Sequence, residues 1–345
     1  MPQLASDAPA PTALVGRHYR IRDRYDIGRE KIREFARAVQ NSHPAHQYES
    51  DASKLGWDGI VAPPTFGSVI GMSTTQALLD TVLSDYDLSQ ILQTDQVFEI
   101  HRPMMPGDRL RTEAVIESIR RVRGNDFLVV KAILTDESGE VVLVASTSIV
   151  ARLGAADPDI VRLVEGLVMH RRNGDADPDV LQTLSEDGIA RVPTLAESRS
   201  GTTVHTEPNF DDLTVGYELP ALAMRLTRGD LVNYAGVSGD PNPIHFSEHA
   251  ARLAGLPTVV AHGLLTMGLG GHYLTSWLGD PTAIESYSVR LAGFVPVEAI
   301  TPAGIDFTAK IKSLDPERRT ATVLLSGTSA GKKLFGRAIA QVRLS

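Results

Sequence analysis

Asp240 and His245 are the two residues whose types and spacing could do chemistry. They lie five positions apart on a segment that also holds Pro241, Asn242 and Pro243, a composition that predicts a turn. An imidazole titrates near neutral pH and can accept a proton, and a carboxyl group in a partly apolar pocket can donate one. The pair could therefore remove the C2 proton of a β-hydroxyacyl thioester and protonate the departing C3 hydroxyl.

Gly263 belongs to an apolar run that predicts a helix over residues 262–277. The first N–H groups of a helix have no intrahelical acceptor, and the helix dipole favours negative charge there. The Gly263 N–H could therefore stabilise an oxyanion on the thioester. Thr266, one turn further, could hold the water or hydroxyl, Asn242 could fix the turn, and Tyr234 begins the motif as a supporting residue. These parts together predict reversible removal of water from a thioester.

Each feature also has a plainer explanation. An Asp-Pro-Asn-Pro sequence is often only a turn in which the polar side chains tie down the backbone. A histidine followed by glycine at the start of a helix could be only a cap. Lys332, Lys333 and Arg337 predict a solvated strand end, or, as the second interpretation, a contact for the carrier protein or its phosphate. The combination of acid, base and helix start favours a functional site.

Composition excludes several classes of protein. The chain has 345 residues, a formal net charge of −8 and no cysteine, so it has no disulfide framework, thiolate nucleophile or cysteine-ligated metal. The acidic balance argues against nucleic-acid binding. No run reaches the length of a membrane span, and the first residues do not resemble a signal peptide. We therefore expect a cytoplasmic protein that needs no cofactor and no metal.

The order of predicted elements occurs twice along the chain. Helices are predicted over residues 29–40 and 65–83, then strands over 94–102, 110–121, 127–136 and 141–152. After a loop-rich stretch, helices are predicted over 227–236 and 262–277, then strands over 284–291, 305–314, 320–328 and 333–344. An offset of 199 residues aligns the two copies without a gap. The aligned pairs include Phe35 with Tyr234, Pro44 with Pro243, His46 with His245, Ala62 with Ala261 and Phe66 with Leu265.

This repeat predicts an α+β fold with two similar halves, each a long helix wrapped by a curved antiparallel sheet. We expect a disordered lead-in over residues 1–14, an N-terminal domain over 15–153, a linker with one short helix over 154–203, and a C-terminal domain over 204–345. The edges of each sheet need a partner, which the other half can supply. The prediction is pairing within one chain, with further association into homo-oligomers left open.

The two copies differ at the positions that matter for chemistry. Asn41 stands where the second copy has Asp240, and Pro64 stands where it has Gly263. Asparagine is not a useful acid, and proline has no N–H to stabilise an oxyanion. His46 is kept without these partners. We therefore predict one working site, in the second half, with the first half shaping the substrate channel.

Residues 234–245, with Ala250, resemble the hydratase 2 signature of MaoC-like dehydratases and (R)-specific enoyl-thioester hydratases. The resemblance implies the hotdog fold and maps the family's catalytic Asp, catalytic His and helix-opening Gly onto Asp240, His245 and Gly263. A Ser or Thr near the family's active-site water maps onto Thr266.

The two halves resemble the two different subunits of the mycobacterial (3R)-hydroxyacyl-ACP dehydratases of type II fatty-acid synthesis. Residues 231–277 and 331–338, with Val289 and Arg290, carry the likeness to the catalytic subunit. Residues 29–34, 38–41 and 95–97 carry the likeness to the subunit that holds the acyl chain. The chain thus resembles a fusion of both. This implies syn loss of water from a (3R)-3-hydroxyacyl-ACP, giving a trans-2-enoyl thioester, in fatty-acid elongation of the mycolic type.

Three other functions remain open. An (R)-specific 2-enoyl-CoA hydratase in fatty-acid or steroid side-chain degradation would use the same site in the reverse direction. A thioesterase would cleave the thioester without a change at C3, although the spacing of Asp240 and His245 argues against it. A non-enzymatic acyl-binding protein is the last alternative. Acyl chain length, preference for acyl carrier protein (ACP) or coenzyme A, oligomeric state and the role of residues 154–203 are not fixed by the sequence.

Overall fold

The computed structural model describes residues 11–86, 91–152, 158–167, 177 and 179–345. Its helices are α1 Arg29–Ala38, α2 Glu49–Ala52, α3 Gly67–Asp80, α4 Pro158–Leu167, α5 Leu195–Ser198, α6 Arg228–Ser238, α7 Glu248–Leu253 and α8 Gly263–Leu278. Its strands are β1 His18–Ile21, β2 Tyr25–Asp26, β3 Ile91–Ile100, β4 Arg109–Val122, β5 Asn125–Thr135, β6 Val141–Arg152, β7 Leu181–Thr183, β8 Glu218–Leu226, β9 Ile284–Leu291, β10 Ala303–Asp315, β11 Thr320–Ser329, β12 Lys332–Lys333 and β13 Phe335–Arg343.

One sheet of thirteen strands runs through the described residues. Eleven follow the order β7-β1-β4-β5-β6-β3-β9-β13-β11-β10-β8, while β2 pairs with β4 and β12 with β11. We call β1 to β6 with α1 to α3 the first half, and β8 to β13 with α6 to α8 the second half. Each half wraps its strands around one long helix, α3 or α8. Twelve of the sixteen residues of α8 are buried, as expected for a helix enclosed by a sheet. The predicted α+β double hotdog fold is therefore confirmed.

The two halves meet where β3 pairs with β9. Five residue pairs form this antiparallel seam, from Asp95 opposite Arg290 to Glu99 opposite Ser286. Arg290 Nε also donates to Asp95 Oδ1 at 2.8 Å. Each half thereby covers an edge of the other half's sheet, so the predicted pairing within one chain is confirmed.

The repeat holds at the level of the backbone. Helix α1 shifted by 199 residues falls on α6, and the short 3₁₀ turn Pro44–His46 falls on Pro243–His245. His46 Nδ1 donates to the Val61 carbonyl at 2.7 Å, and His245 Nδ1 donates to the Val260 carbonyl at 2.7 Å. The same hydrogen bond at the same offset shows that both histidines are held by a common frame.

Residues 154–203 do more than span the two halves. They contain helix α4, in the segment for which one short helix was predicted. They also contain β7, which pairs with β1 and which the sequence pattern did not indicate. Arg199 follows α5 and is 1% exposed. Its Nη2 donates to the Thr282 carbonyl at 2.7 Å. The segment is thus bonded to both halves.

Several edge elements were missed by the sequence analysis. They are β1, β2, β7 and β8, which lie at or near the ends of the sheet. Strand β8 includes Pro220, which argues against a strand in sequence but is tolerated at an edge, where one side needs no N–H donor. Among the described helices, none combines the length and apolar character needed to cross a membrane.

Candidate active site

Helix α6 ends where the site begins. Its start is fixed by a capping box, in which Thr227 N–H donates to Asp230 Oδ2 at 2.7 Å, as the Thr-x-x-Asp pattern predicts. The helix ends at Ser238 and is capped by Gly239. The φ of Gly239 is +77°, the left-handed conformation that glycine adopts without strain. This turn aims the next residue, Asp240, away from the helix axis.

Two side chains in the turn bind its own backbone. Asp240 Oδ1 accepts from the Asn242 N–H at 3.1 Å, and Asn242 Oδ1 accepts from the Ile244 N–H at 3.2 Å. Such Asx-type bonds hold a short turn in one conformation. Asn242 thus lies where the sequence analysis expected a residue that fixes the loop.

His245 has a defined tautomer because of its backbone partner. Val260 offers only a carbonyl oxygen, so His245 Nδ1 must carry the proton that it donates, and Nε2 keeps its lone pair. The ring is 7% exposed. Burial lowers the pKa of His245, while the nearby Asp240 carboxylate and the Val260 carbonyl oppose that shift. The imidazole is therefore neutral at pH 7, with a free Nε2.

His262 stacks on His245 and was not among the predicted site residues. The ring centroids are 3.7 Å apart and the planes differ by 28°. His262 is fully buried, and neither ring nitrogen has a partner of ordinary hydrogen-bond geometry within the described residues, although the Asp240 backbone carbonyl lies near enough to oppose a lowering of the pKa of His262. Burial and the neighbouring His245 hold the pKa of His262 well below its usual value. In the sequence, the position of His262 directly before Gly263 suggested only that it caps helix α8. Its side chain makes no capping hydrogen bond to that helix.

Asp240, His245 and His262 form the one group of candidate metal ligands found in the described part of the chain. One ligand atom from each lies within 4.8 Å of the others. Stacked rings place their in-plane lone pairs side by side rather than converging, so an ion shared by both imidazoles would require one ring to rotate. The same closeness suits a proton donor and a proton acceptor that act on one substrate.

Gly263 is the first residue of α8, as predicted. A Cβ at this position would overlap Leu291 Cδ1, so a larger residue would require the Leu291 side chain to shift. Thr266 is buried, and its hydroxyl donates to the Gly263 carbonyl at 2.7 Å. The Thr266 proton is therefore used within the helix, and only the oxygen lone pairs remain to accept a hydrogen bond from a water or hydroxyl.

Tyr234 lies behind the site with its ring 4.9 Å from that of His262. It is 1% exposed, and its hydroxyl has no partner of ordinary geometry within the described residues. Burial raises the pKa of Tyr234, and the nearby Ser68 hydroxyl opposes the shift. Ser68 belongs to α3, so the first half reaches the site of the second half.

A cavity of about 170 Å³ opens at Asp240 and extends into the first half. Asp240, Asn242 and Leu264 line it from the second half. Helix α3 and strands β3 and β6 supply most of the remaining wall, and Val164 of α4 contributes as well. Asp240 and Asn242 thus lie at one end of a channel whose walls come mainly from the other half, whereas His245, Gly263 and Thr266 are not among the residues that line it.

Lys332 and Lys333 lie on the short strand β12, and Arg337 lies on β13, the strand next to β9 in the sheet. All three side chains are exposed. Arg337 lies opposite Arg290 in the pairing of β13 with β9. The next residue on β9, Leu291, packs against Gly263. Through Arg337, this cationic group therefore lies near the end of β9 that contacts the start of α8.

Comparisons with known proteins agree with this architecture. Residues 13–145 match the model of a FAS1-like dehydratase domain region, and residues 212–323 match the MaoC-like domain. A UPF0336 protein of Saccharopolyspora erythraea is 38% identical over 151 residues, which are 44% of this chain and 97% of that protein. A solved structure described as a MaoC-like dehydratase is 44% identical, covers 97% of this chain and 100% of its own, and superposes with a TM-score of 0.87.

The likeness extends to distant structures. A Mycobacterium tuberculosis protein described as having a double hotdog fold covers 95% of this chain and 96% of its own, with 13% identity and a TM-score of 0.62. That identity supports the fold alone. The fold and the site define a protein of the double-hotdog class. The 44% identity over nearly both full lengths goes further, and the chain belongs to the MaoC-like dehydratase family.

Proposed function

We propose that this chain is a (3R)-3-hydroxyacyl-ACP dehydratase, which reversibly removes water to give a trans-2-enoyl thioester. One observation carries the proposal. One ligand-type atom of Asp240 and one of His245 lie within 4.8 Å of each other, and Asp240 lines a largely apolar channel together with Leu264 of the first turn of α8. A proton acceptor, a proton donor and an oxyanion donor are the parts that this elimination needs.

His245 Nε2 is the proposed base. With Nδ1 bonded to Val260, its free lone pair takes the C2 proton of the substrate. The carboxylic acid form of Asp240 gives its proton to the C3 hydroxyl as the C–O bond breaks and water leaves, so the step ends with an Asp240 carboxylate beside a His245 imidazolium. The electrons of the C2–H bond pass through the thioester enolate, whose oxygen accepts a hydrogen bond from the Gly263 N–H. Removing one oxyanion donor of this kind costs about 3 kcal/mol of barrier.

The proposed division of labour follows the two halves. The second half, residues 204–345, carries the catalytic groups, and the first half, residues 15–153, holds the acyl chain in the channel that α3 lines. In this proposal, the carrier that bears the thioester stays outside the channel. Lys332, Lys333 and Arg337 are the proposed contact for the phosphate of its pantetheine arm, since cations that make no ion pair among the described residues are available to an anion. We place the reaction in the cytoplasm and in fatty-acid elongation of the mycolic type.

The alternative is an (R)-specific 2-enoyl-CoA hydratase, in which the same groups add water. The two functions differ in the carrier of the acyl group, which is ACP for the dehydratase and coenzyme A for the hydratase. We expect a higher kcat/KM with an ACP thioester than with the matching coenzyme A thioester. The double variant Lys332→Ala, Lys333→Ala is expected to raise KM for the ACP thioester and leave kcat unchanged, because it removes only binding. A preference for the coenzyme A thioester would favour the hydratase.

The decisive test replaces the proposed acid. Hydration of trans-2-butenoyl thioesters is followed by the loss of enoyl-thioester absorbance, and the reverse reaction from the (3R)-hydroxyacyl thioester is followed by its gain. Asp240→Asn is expected to lose at least about 100-fold in kcat. Asp306→Asn makes the same change on an exposed strand position and is the matched control. Full activity in Asp240→Asn would overturn the mechanism, and thioester cleavage without change at C3 would indicate a thioesterase.

A further inference from the structure

The wall of the channel changes character along its length. At the catalytic end lie Phe98 and Ser68, beside the start of α3, and toward the last turns of α3 and the start of β3 lie Leu79 and Ile91. These positions are mostly apolar, as a fatty acyl chain requires. Between them the wall carries polar side chains from α3, Thr75 and Gln76, and from the sheet, Gln93, Gln96 and Thr147. We call the three from the sheet the amide cluster.

The amide cluster is joined by hydrogen bonds. Gln96 Oε1 accepts from Gln93 Nε2 at 2.8 Å and from Thr147 Oγ1 at 2.9 Å. Gln96 Nε2 donates to the Val97 carbonyl at 3.1 Å. Gln96 is only 4% exposed, so these bonds fix its amide in one orientation. The cluster is a built feature of the wall rather than a set of mobile surface side chains.

A break in the strand register turns both glutamines toward the channel. Side chains alternate between the two faces of a regular strand, so residues 93 and 96 would face opposite ways. The pairing of β3 with β6 shifts between Gln93 and Asp95, and the extra residue restores both glutamines to one face. Ile91 and Phe98, on either side of the break, face the channel as well. Bulges of this kind re-aim side chains beside functional sites.

The cluster has unused hydrogen-bonding capacity. Gln93 Oε1 accepts no hydrogen bond from any described residue, and each amide retains one N–H beyond the bonds given above. A plain alkyl chain packed here would cover these groups without satisfying them, and a covered polar group without a partner is costly. A hydroxyl group on the chain can donate to Gln93 Oε1 and accept from an amide N–H.

We propose that the preferred substrate is a thioester whose acyl chain carries a hydroxyl group at the depth of the amide cluster. Strand β3 rises about 3.3 Å per residue. Measured along this strand from Phe98 at the catalytic end, Gln96 lies about 7 Å away and Gln93 about 17 Å away. The cluster therefore contacts the distal part of the acyl chain and not the carbons that react. This inference rests on the proposed dehydratase function and concerns only the distal part of the chain.

The test compares chains of equal length. Hydration rates are measured for trans-2-decenoyl pantetheine and for its ω-hydroxy and (ω−1)-hydroxy derivatives, with trans-2-butenoyl pantetheine as the substrate too short to reach the cluster. We expect at least one hydroxylated chain to exceed the unsubstituted chain about tenfold in kcat/KM. Gln93→Leu is expected to abolish that advantage, so that the kcat/KM values of the hydroxylated and unsubstituted decenoyl chains become equal within about twofold.

Gln76→Leu is the matched control. Gln76 also lines the channel, but its amide donates to Asp80 Oδ1 at 2.7 Å, so this variant should keep the ratio of hydroxylated to unsubstituted rates. Equal rates for both chain types, or an advantage that survives Gln93→Leu, would overturn the inference while butenoyl hydration still supports the function. No turnover of any thioester would overturn both. Calorimetric affinities of the saturated thioesters for the Asp240→Asn variant give the same comparison without turnover.

Discussion

His46 and His245 occupy equivalent places in the two halves and differ in what surrounds them. Each donates from Nδ1 to a backbone carbonyl at 2.7 Å, and each is buried. His245 lies within 4.8 Å of Asp240, which lines the channel. His46 has an Nε2 with no partner in the described structure, and burial lowers the pKa of His46 to about 3. The repeat therefore preserves the position of the imidazole but not the groups around it.

The neighbours of each histidine explain the difference. Asn41 replaces the carboxylic acid and is 1% exposed, with its Oδ1 3.3 Å from Thr275 Oγ1 and 3.4 Å from His272 Nδ1. Both of those side chains come from α8, so the second half fills the space beside Asn41. The cavity beside Pro63 and Pro64 is about 10 Å³, against about 170 Å³ beside Asp240. A space that small holds at most one water.

The largest expected effect comes from replacing each histidine by asparagine, which can keep the hydrogen bond to the backbone carbonyl. Asparagine places an N–H where histidine has Nδ1 and has no base at Nε2. We expect His245→Asn to lower kcat about 100- to 10,000-fold, the range for loss of a general base. His46→Asn should leave kcat within about threefold. Steady-state rates with a butenoyl thioester measure both, and a comparable loss in both variants would contradict the assignment of one working site.

The second prediction attempts to move the acid. The double variant Asn41→Asp, Asp240→Asn places a carboxylic acid in the first half and removes it from the second. We expect it to stay as inactive as Asp240→Asn alone, because Pro64 offers no N–H and the space beside it is closed. Circular dichroism verifies folding. Measurable turnover by the double variant would contradict this expectation, because it would show that the backbone arrangement around His46 needs only an acid to become active.

The third prediction concerns acid stability. His46, His245 and His262 have pKa values below the ordinary 6.5, so below that pH the unfolded chain binds more protons than the folded chain. The free energy of unfolding should therefore fall with decreasing pH, by about 1.4 kcal/mol per pH unit for each such histidine. For His46 this continues down to about pH 3. Urea titrations across this range measure the slope, and His46→Asn should make it shallower than in the unmutated chain.

The smallest effect concerns the residue that ends the first helix of each half. Gly239 and Gln40 are equivalent and both have positive φ, +77° and +53°. Gly239→Ala forces a side chain into that conformation and should cost about 1 to 2 kcal/mol of unfolding free energy. Gln40→Gly relieves it, although it also removes the bond from Gln40 Nε2 to the Arg225 carbonyl. Its effect should lie within about 1 kcal/mol of zero. Thermal unfolding compares both with the unmutated chain.

The central elements of the fold could be predicted from the sequence because their patterns are local. The buried helix α8 and the strands β5 and β6 are long and strongly apolar, and the offset of 199 residues linked the halves. The edge strands could not be predicted in this way. Short elements such as β7 are defined by the neighbour they pair with, here β1, and that neighbour is distant in sequence.

The site was predictable in part. The spacing of Asp240 and His245 and the helix start at Gly263 could be read from the sequence because all three belong to turns and helix ends with strong local signals. His262 and Ser68 could not. Their places depend on ring stacking and on the packing of α3 against α6, which are properties of the folded molecule.

The seam between β3 and β9 has a consequence for assembly. When unequal partners are separate polypeptides, their association depends on concentration, and like partners compete for the same edge. Here both seam strands belong to one polypeptide, so their encounter is intramolecular and its effective concentration is set by the tether rather than by expression level. Dilution should not separate the halves, and every molecule carries one copy of each half in fixed stoichiometry.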